Sequence, residues 1–189
     1  MIESVLENQG RKGDWIQTYT GKAFWPFDPR IDEVDIFDIA HSLSNQCRYA
    51  GHCIKFYSVA EHCLHVSRLC SQKNRLWGLL HDATEAYLVD LPRPIKWHLL
   101  DYKVIETELE KIIASRFNLS LPIPVEVKQI DDCILDCERQ QNMSNPPYNW
   151  QVHNHLELYV KLQNWEPSKA EDEFINEFLR LSRGINDEN

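Results

Sequence analysis

The sequence predicts an all-α protein, a compact helical bundle, on three observations. Apolar residues recur at three- and four-residue steps through most segments after residue 35. Two Ser-x-x-Glu boxes, Ser58 with Glu61 and Ser168 with Glu171, stand at the head of such segments. Prolines fall in a connector, LPRP, where they stop a helix instead of bending one. A chain of 189 residues with 43% hydrophobic content buries one substantial core, so a single domain over 1–189 is expected. Within it, residues 1–35 form an irregular N-terminal segment, 36–143 the helical core, and 144–189 a C-terminal loop and helix.

The elements follow in chain order. GDWIQTYTGKAFWPFDPR mixes glycine, proline and aromatics without period and reads as irregular but packed. In FYSVAEHCLHVSRLC the Ser58 box opens a helix whose apolar positions are Val59, Leu64, Val66, Leu69 and Cys70, placing His62 in its first turns. RLWGLLHDATEAY, residues 75–87, reads as one buried helix. Val104, Ile105, Leu109, Ile112 and Ile113 mark an amphipathic helix, mainly structural. Residues 124–143 give another, with Val127, Ile130, Ile134 and Leu135 inward and Asp131 one step from that face. The last helix starts near Ser168 and buries Phe174, Ile175, Phe178 and Leu179. Residues 145–167 are loop-rich, with a short strand expected at LELYV.

Charge and cysteine usage narrow the function. Twenty basic against 29 acidic residues give a net charge of −9, which argues against duplex nucleic acid as a partner and leaves room for a small anion in a local basic pocket. Six cysteines without an apolar leader predict a reducing, cytoplasmic setting and no disulfide framework. No stretch approaches the roughly 20 apolar residues of a spanning helix.

LLHDATEAYLVDLPRPIK concentrates acid/base groups: His81, Asp82, Glu85 and Asp90. With His62 and Asp131 on other segments they supply two imidazoles and several carboxylates, a set suited to manganese, cobalt, zinc or iron better than to calcium, whose sites are built from oxygen. Taken singly, each is more often a hydrogen-bonded core histidine or a capping aspartate. His65 reads as a packing residue. The HNH letters at His153 and His155 carry little information without a nuclease fold. Cys133 and Cys137 lack a second pair for a structural zinc site and read as core thiols.

The order H…HD…D on helices resembles the HD-domain metal-dependent phosphohydrolases. CRYAGH with YSVAEH, LLHDATEAYLVDLPRPIK and VKQIDDCILDCE together resemble the 5′-deoxynucleotidases of that superfamily and the related phage deoxynucleotide triphosphohydrolases, over residues 39–138. The resemblance implies an HD-domain bundle with His62, His81, Asp82 and Asp131 as ligands of a divalent metal ion (manganese, cobalt or zinc), and Glu85 at the water. It implies that Arg48 orients the phosphate, that Tyr49 lies near the substrate, and that Asp90, Leu91, Pro92 and Arg93 form a nucleotide-contacting loop. A small-molecule nucleotide substrate and a homo-oligomer follow from the same resemblance. Tyr49 stands where the bacterial deoxynucleotidases carry tryptophan, and Asp132 adjoins Asp131; VKQ-x-D sets the register on Asp131.

The expected reaction is metal-dependent release of nucleoside from the phosphate or triphosphate of a deoxyribonucleotide. Glu85, four residues after His81, shares its helix face and is placed for proton transfer. Arg48, Arg93 and Lys96 are candidates to hold a polyphosphate tail. Mono- and triphosphate substrates both stay open. So do two competing functions: a regulatory nucleotide-binding protein without turnover, and a metal-dependent single-strand nuclease.

Overall fold

Helices carry the structure, a computed structural model describing residues 10–148, 150 and 158–186, with side chains to residue 183. A two-residue antiparallel hairpin, β1 (Ile16–Gln17) with β2 (Ala23–Phe24), comes first. Then come α1 (Ile36–Asn45), α2 (Val59–Leu69), α3 (Arg75–Leu80), the single turns α4 (Glu85–Leu88) and α5 (Arg93–Lys96), α6 (Leu100–Arg116), α7 (Val125–Asn142) and α8 (Pro167–Asn186). No described helix is long and apolar enough to cross a membrane.

The described part of the N-terminal segment contains a small hairpin that its lack of period hides; Phe24 packs inward, whereas Trp15, Tyr19 and Phe27 are exposed and not packed as expected. Gly21, at φ 83°, closes the hairpin turn. Phe24 is fully buried and stacks on Tyr87 at 4.0 Å. Arg11 fastens the segment through Asp28 (2.6 Å) and Glu33 (2.5 Å).

At α2 the Ser58 hydroxyl accepts the Glu61 N–H at 3.0 Å, as the box predicts. Glu61 does not return the bond. Its fully buried carboxylate instead accepts the backbone N–H groups of Gln163 (2.7 Å), Asn164 (3.1 Å) and Trp165 (2.9 Å), tying the C-terminal segment to α2. All three donors are backbone groups of a loop that would otherwise be left unpaired, so the carboxylate meets the obligation that burial imposes on both sides.

The single helix expected over 75–87 is broken. After Leu80 the ladder tightens to i,i+3 bonds, Ala83 N–H to Leu80 O (3.0 Å) and Glu85 N–H to Asp82 O (2.9 Å), before α4 begins. His81 and Asp82 sit in this tight turn. α3 lies close on α2 at Gly78, where an added Cβ would stand 2.8 Å from the Ser67 Cα.

Further along, Leu109 and Ile113 of α6 are buried, but Ile105 and Ile112 are only partly so and Val104 is exposed. On α7, Val127, Ile130 and Ile134 are buried and Leu135 partly so. α8 starts at Pro167, whose ring presets the first helical φ, so Ser168 lies inside the first turn and is not the cap. Ala170, Phe174 and Leu181 face inward; Leu179, five residues past Phe174 and about 140° around the helix, is exposed and not buried as expected. Leu158, Tyr159 and Val160 form no strand. The rest of LELYV, with His153 and His155, lies outside the described residues.

Two apolar clusters result. One joins α1, α2, α3, α6 and α8 through Ile39, Leu43, Leu64, Leu79, Leu109 and Phe174. The other joins Val66 and Trp77 to Val127, Ile130 and Ile134 of α7 and to Val160 and Leu162. α2 belongs to both, and His62 projects from it.

Candidate metal centre

Three elements meet at His62. It is fully buried on α2; His81 and Asp82 come from the turn after α3, and Asp131 from α7. His62, His81 and Asp131 offer ligand atoms that all lie within 4.8 Å of one another. The His62 Nε2 is 3.1 Å from an Asp131 oxygen and 3.6 Å from Asp82 Oδ2, and the His81 Nε2 is 3.3 Å from the same Asp82 oxygen. Neither Nε2 makes an aligned hydrogen bond, although both are buried. Short distances without hydrogen-bond alignment describe donors facing a common point better than they describe paired groups.

The other ring nitrogens fix the tautomers. His81 Nδ1 lies 2.8 Å from the Gly78 carbonyl, an acceptor only, and His62 Nδ1 lies 2.7 Å from Glu138 Oε1. Both Nδ1 atoms therefore carry the proton in the neutral rings, and both Nε2 lone pairs point to the centre, the orientation a metal requires. Burial and Arg48 disfavour the charged His62 ring, but Glu138 and Asp131 outweigh them and lift its pKa to about 9. A cation entering this site displaces that proton.

Asp131, and not its neighbour Asp132, faces the histidines. Burial opposes ionisation of Asp131, but His62, His81 and Arg48 together hold its pKa well below the carboxylate range. Arg93 spans the two aspartates, donating to Asp131 at 2.8 Å and to Asp132 at 2.7 Å.

Glu138, two helical turns beyond Asp131 on α7, is the residue that sequence reasoning missed. Fully buried, it accepts hydrogen bonds from Tyr57 (2.9 Å), Tyr49 and Arg48 (3.2 Å) as well as facing His62. Burial opposes its charge, but Arg48 and His62 bring its pKa down to about 2. The i,i+7 spacing from Asp131, which shares a helix face, was the available signal. Gln46 was missed too: its amide donates to the Glu85 carbonyl (2.9 Å) and accepts the Asp90 N–H (2.9 Å), fixing α4 to the following loop.

The expected substrate residues are distributed unevenly. Arg48 is buried against Glu138 and 3.7 Å from Asp82, with its Nε unpartnered. Tyr49 turns its hydroxyl to Glu138. Glu85 is buried, with Oε1 3.4 Å from Lys96 and Oε2 unpartnered; burial, then Asp82 and Asp90, push its pKa well above the carboxylate range. Lys96 also pairs with Glu106 at 2.5 Å. Asp90 follows Val89, held at φ 69°, a strained conformation for a β-branched residue. Leu91 and Pro92 are partly buried in the same loop, between Asp90 and Arg93. A cleft of about 460 Å³ beside α4 is lined by Gln46, Glu85 and Val89 among others. Another, of about 330 Å³, is lined by Tyr19 of the hairpin turn and by Asp38 and His41 of α1 among others. Neither is lined by His62, His81 or Asp131.

No protein-family model matches the chain. It is 42% identical over 126 residues to the uncharacterized protein YfdR of Escherichia coli K12, covering 67% of this chain and 71% of that protein. It is 33% identical over 128 residues to the uncharacterized protein RCAP_rcc00048 of Rhodobacter capsulatus, covering 62% of this chain and 65% of that protein. The chain belongs to the family of YfdR.

Proposed function

We propose that this protein is a metal-dependent phosphohydrolase of the HD-domain kind, releasing nucleosides from deoxyribonucleotides. The observation that carries the reading is the pair of buried Nε2 atoms of His62 and His81, neither in an aligned hydrogen bond, gathered with an Asp131 oxygen within 4.8 Å of one another. Imidazole and carboxylate together suit manganese, cobalt or zinc.

A divalent ion held there supplies a water of lowered pKa and offsets phosphate charge. The chain's own groups do the rest. Glu138 and the Gly78 carbonyl hold the two imidazoles in the required tautomer. Glu85, a buried carboxyl with a raised pKa, takes a proton from water and returns it to the departing oxygen. Arg48, fixed by Glu138, presents its unpartnered Nε–H to the phosphate. Arg93 and Lys96 exchange their carboxylate partners for phosphate oxygens; Arg93 is half-exposed, so its present pairs are cheap to break.

The test is a panel of deoxyribonucleoside mono- and triphosphates, incubated with chelator-stripped protein reloaded with manganese, cobalt or zinc. Phosphate or triphosphate release is expected with at least one metal and none after stripping. Asp131→Asn should lose both metal and turnover while keeping its helical circular dichroism. No release from any nucleotide with any of the three metals would overturn the proposal.

A further inference from the structure

A second donor set shares His81. Cys63, next to His62 on α2, brings its sulfur within 4.8 Å of a His81 nitrogen and an Asp82 oxygen, these three ligand atoms being mutually within that distance. Cys63 is fully buried, and His81 Nε2 is buried with no hydrogen-bond partner. Because His81 Nδ1 is occupied by the Gly78 carbonyl at 2.8 Å, Nε2 is the nitrogen available to this set as well. Asp82 Oδ2, 3.3 Å from that Nε2, completes an S, N, O triangle.

We infer that Cys63, His81 and Asp82 form a separate binding position for a thiophilic divalent cation of the zinc class, exclusive of the position built from His62, His81 and Asp131. The inference depends on the same His81 as the proposed phosphohydrolase centre but not on its turnover. Its basis is ligand softness. An N/O set accommodates manganese or cobalt, whereas a thiolate favours zinc and its heavier congener cadmium. One Nε2 lone pair serves one ion, so a cation held by Cys63 removes His81 from the other position. Burial, then Asp82 and Glu85, hold the Cys63 thiol above its ordinary pKa, so the cation must displace its proton: the S–H bond breaks, the proton leaves to solvent, a sulfur–metal bond forms, and no electron is transferred. Excess zinc therefore occupies the protein in a form that excludes manganese.

Cadmium is the probe. Titrated anaerobically into metal-free protein, it should give a sulfur-to-cadmium charge-transfer absorption in the ultraviolet corresponding to one thiolate per chain, and lower the manganese bound in proportion. Cys63→Ser and Cys63→Ala, each checked for helicity, should lose the absorption and still bind manganese. Asp131→Asn should do the reverse. Cadmium-edge X-ray absorption on the unaltered protein, which needs no variant, should count one sulfur among nitrogen and oxygen. A band that persists in both Cys63 variants would assign cadmium to the other cysteines, and no band in the unaltered protein would leave the position without its thiolate; either result overturns the inference. A normal cadmium band in a protein that hydrolyses no nucleotide would instead remove the phosphohydrolase reading and leave this position standing.

Discussion

Replacing Glu138 by glutamine keeps the side chain's shape and removes its charge. In the folded protein Glu138 has a pKa of about 2 against an ordinary 4.5, because Arg48 and His62 face it inside the core. At 1.36 kcal/mol per pH unit, that difference is worth about 3 kcal/mol of folding stability. Its sign follows from a depressed pKa. The contribution is complete above about pH 4.5, where the unfolded carboxyl is also ionised, shrinks as pH falls below that, and is lost as pH passes through about 2, below which both states are protonated. The figure agrees with the roughly 3–5 kcal/mol lost when one partner of a buried ion pair is removed. For a chain of this length it corresponds to a midpoint lowered by about 6–12 °C. Urea unfolding of both proteins at about pH 5.5, where His62 is protonated folded and unfolded, should show the full gap, and the gap should close on acidification. Metal affinity should fall about 10- to 100-fold, since the His62 ring keeps an acceptor but loses the negative charge facing it. A variant within about 0.5 kcal/mol of the parent at pH 5.5, or a gap unchanged near pH 2, would refute the assignment of Glu138 as the charge that holds Arg48 and His62.

Other outcomes follow from neighbouring residues. Glu85→Gln should keep the bound metal and lose about 10²- to 10⁴-fold in turnover, read by metal analysis beside single-turnover kinetics; metal lost in step with activity would make Glu85 a ligand. Gly78→Ala should destabilise by about 1–3 kcal/mol in chemical denaturation, because the new methyl meets the Ser67 backbone at 2.8 Å. An unchanged midpoint would mean that α2 and α3 are not tightly apposed there. Asp90→Ala should impair hydrolysis of 3′-hydroxyl nucleotides far more than of 3′-deoxy analogues, up to about 10⁴-fold, if its carboxylate accepts the sugar hydroxyl. Equal losses on the two would take Asp90 out of the sugar site.

What the sequence could display was local. Capping at Ser58 and the inward face of α7 follow from local pattern and periodicity, the face of α8 only at Phe174, and the grouping of His62, His81, Asp82 and Asp131 was carried by the resemblance and not by spacing. The break after Leu80 did not show, because RLWGLLHDATEAY keeps helical composition while its hydrogen bonds shorten to i,i+3. Glu61 was legible as half of a capping box, yet its carboxylate is used by a loop over a hundred residues away. Glu138 carried no separate signal in the sequence; its burial depends on Tyr49, Tyr57 and Arg48 arriving from another part of the chain. Long-range closure of this kind leaves no period in the sequence. Arg48 shows the same limit: the motif marks it, but only packing reveals that its charge is held in place by an acid on α7.

The bonds from Gln163, Asn164 and Trp165 to Glu61 also set an order of events during synthesis. While the chain grows, the helix bearing His62 and Cys63 is made early, but its Glu61 carboxylate has no backbone donors until residue 165 has left the ribosome. Until then, burying that helix face would leave the carboxylate with His65, 3.5 Å away on the same helix, in place of three backbone donors, a cost of about 1–3 kcal/mol against a total stability of only about 5–15 kcal/mol. That helix therefore settles fully only once the C-terminal segment is present.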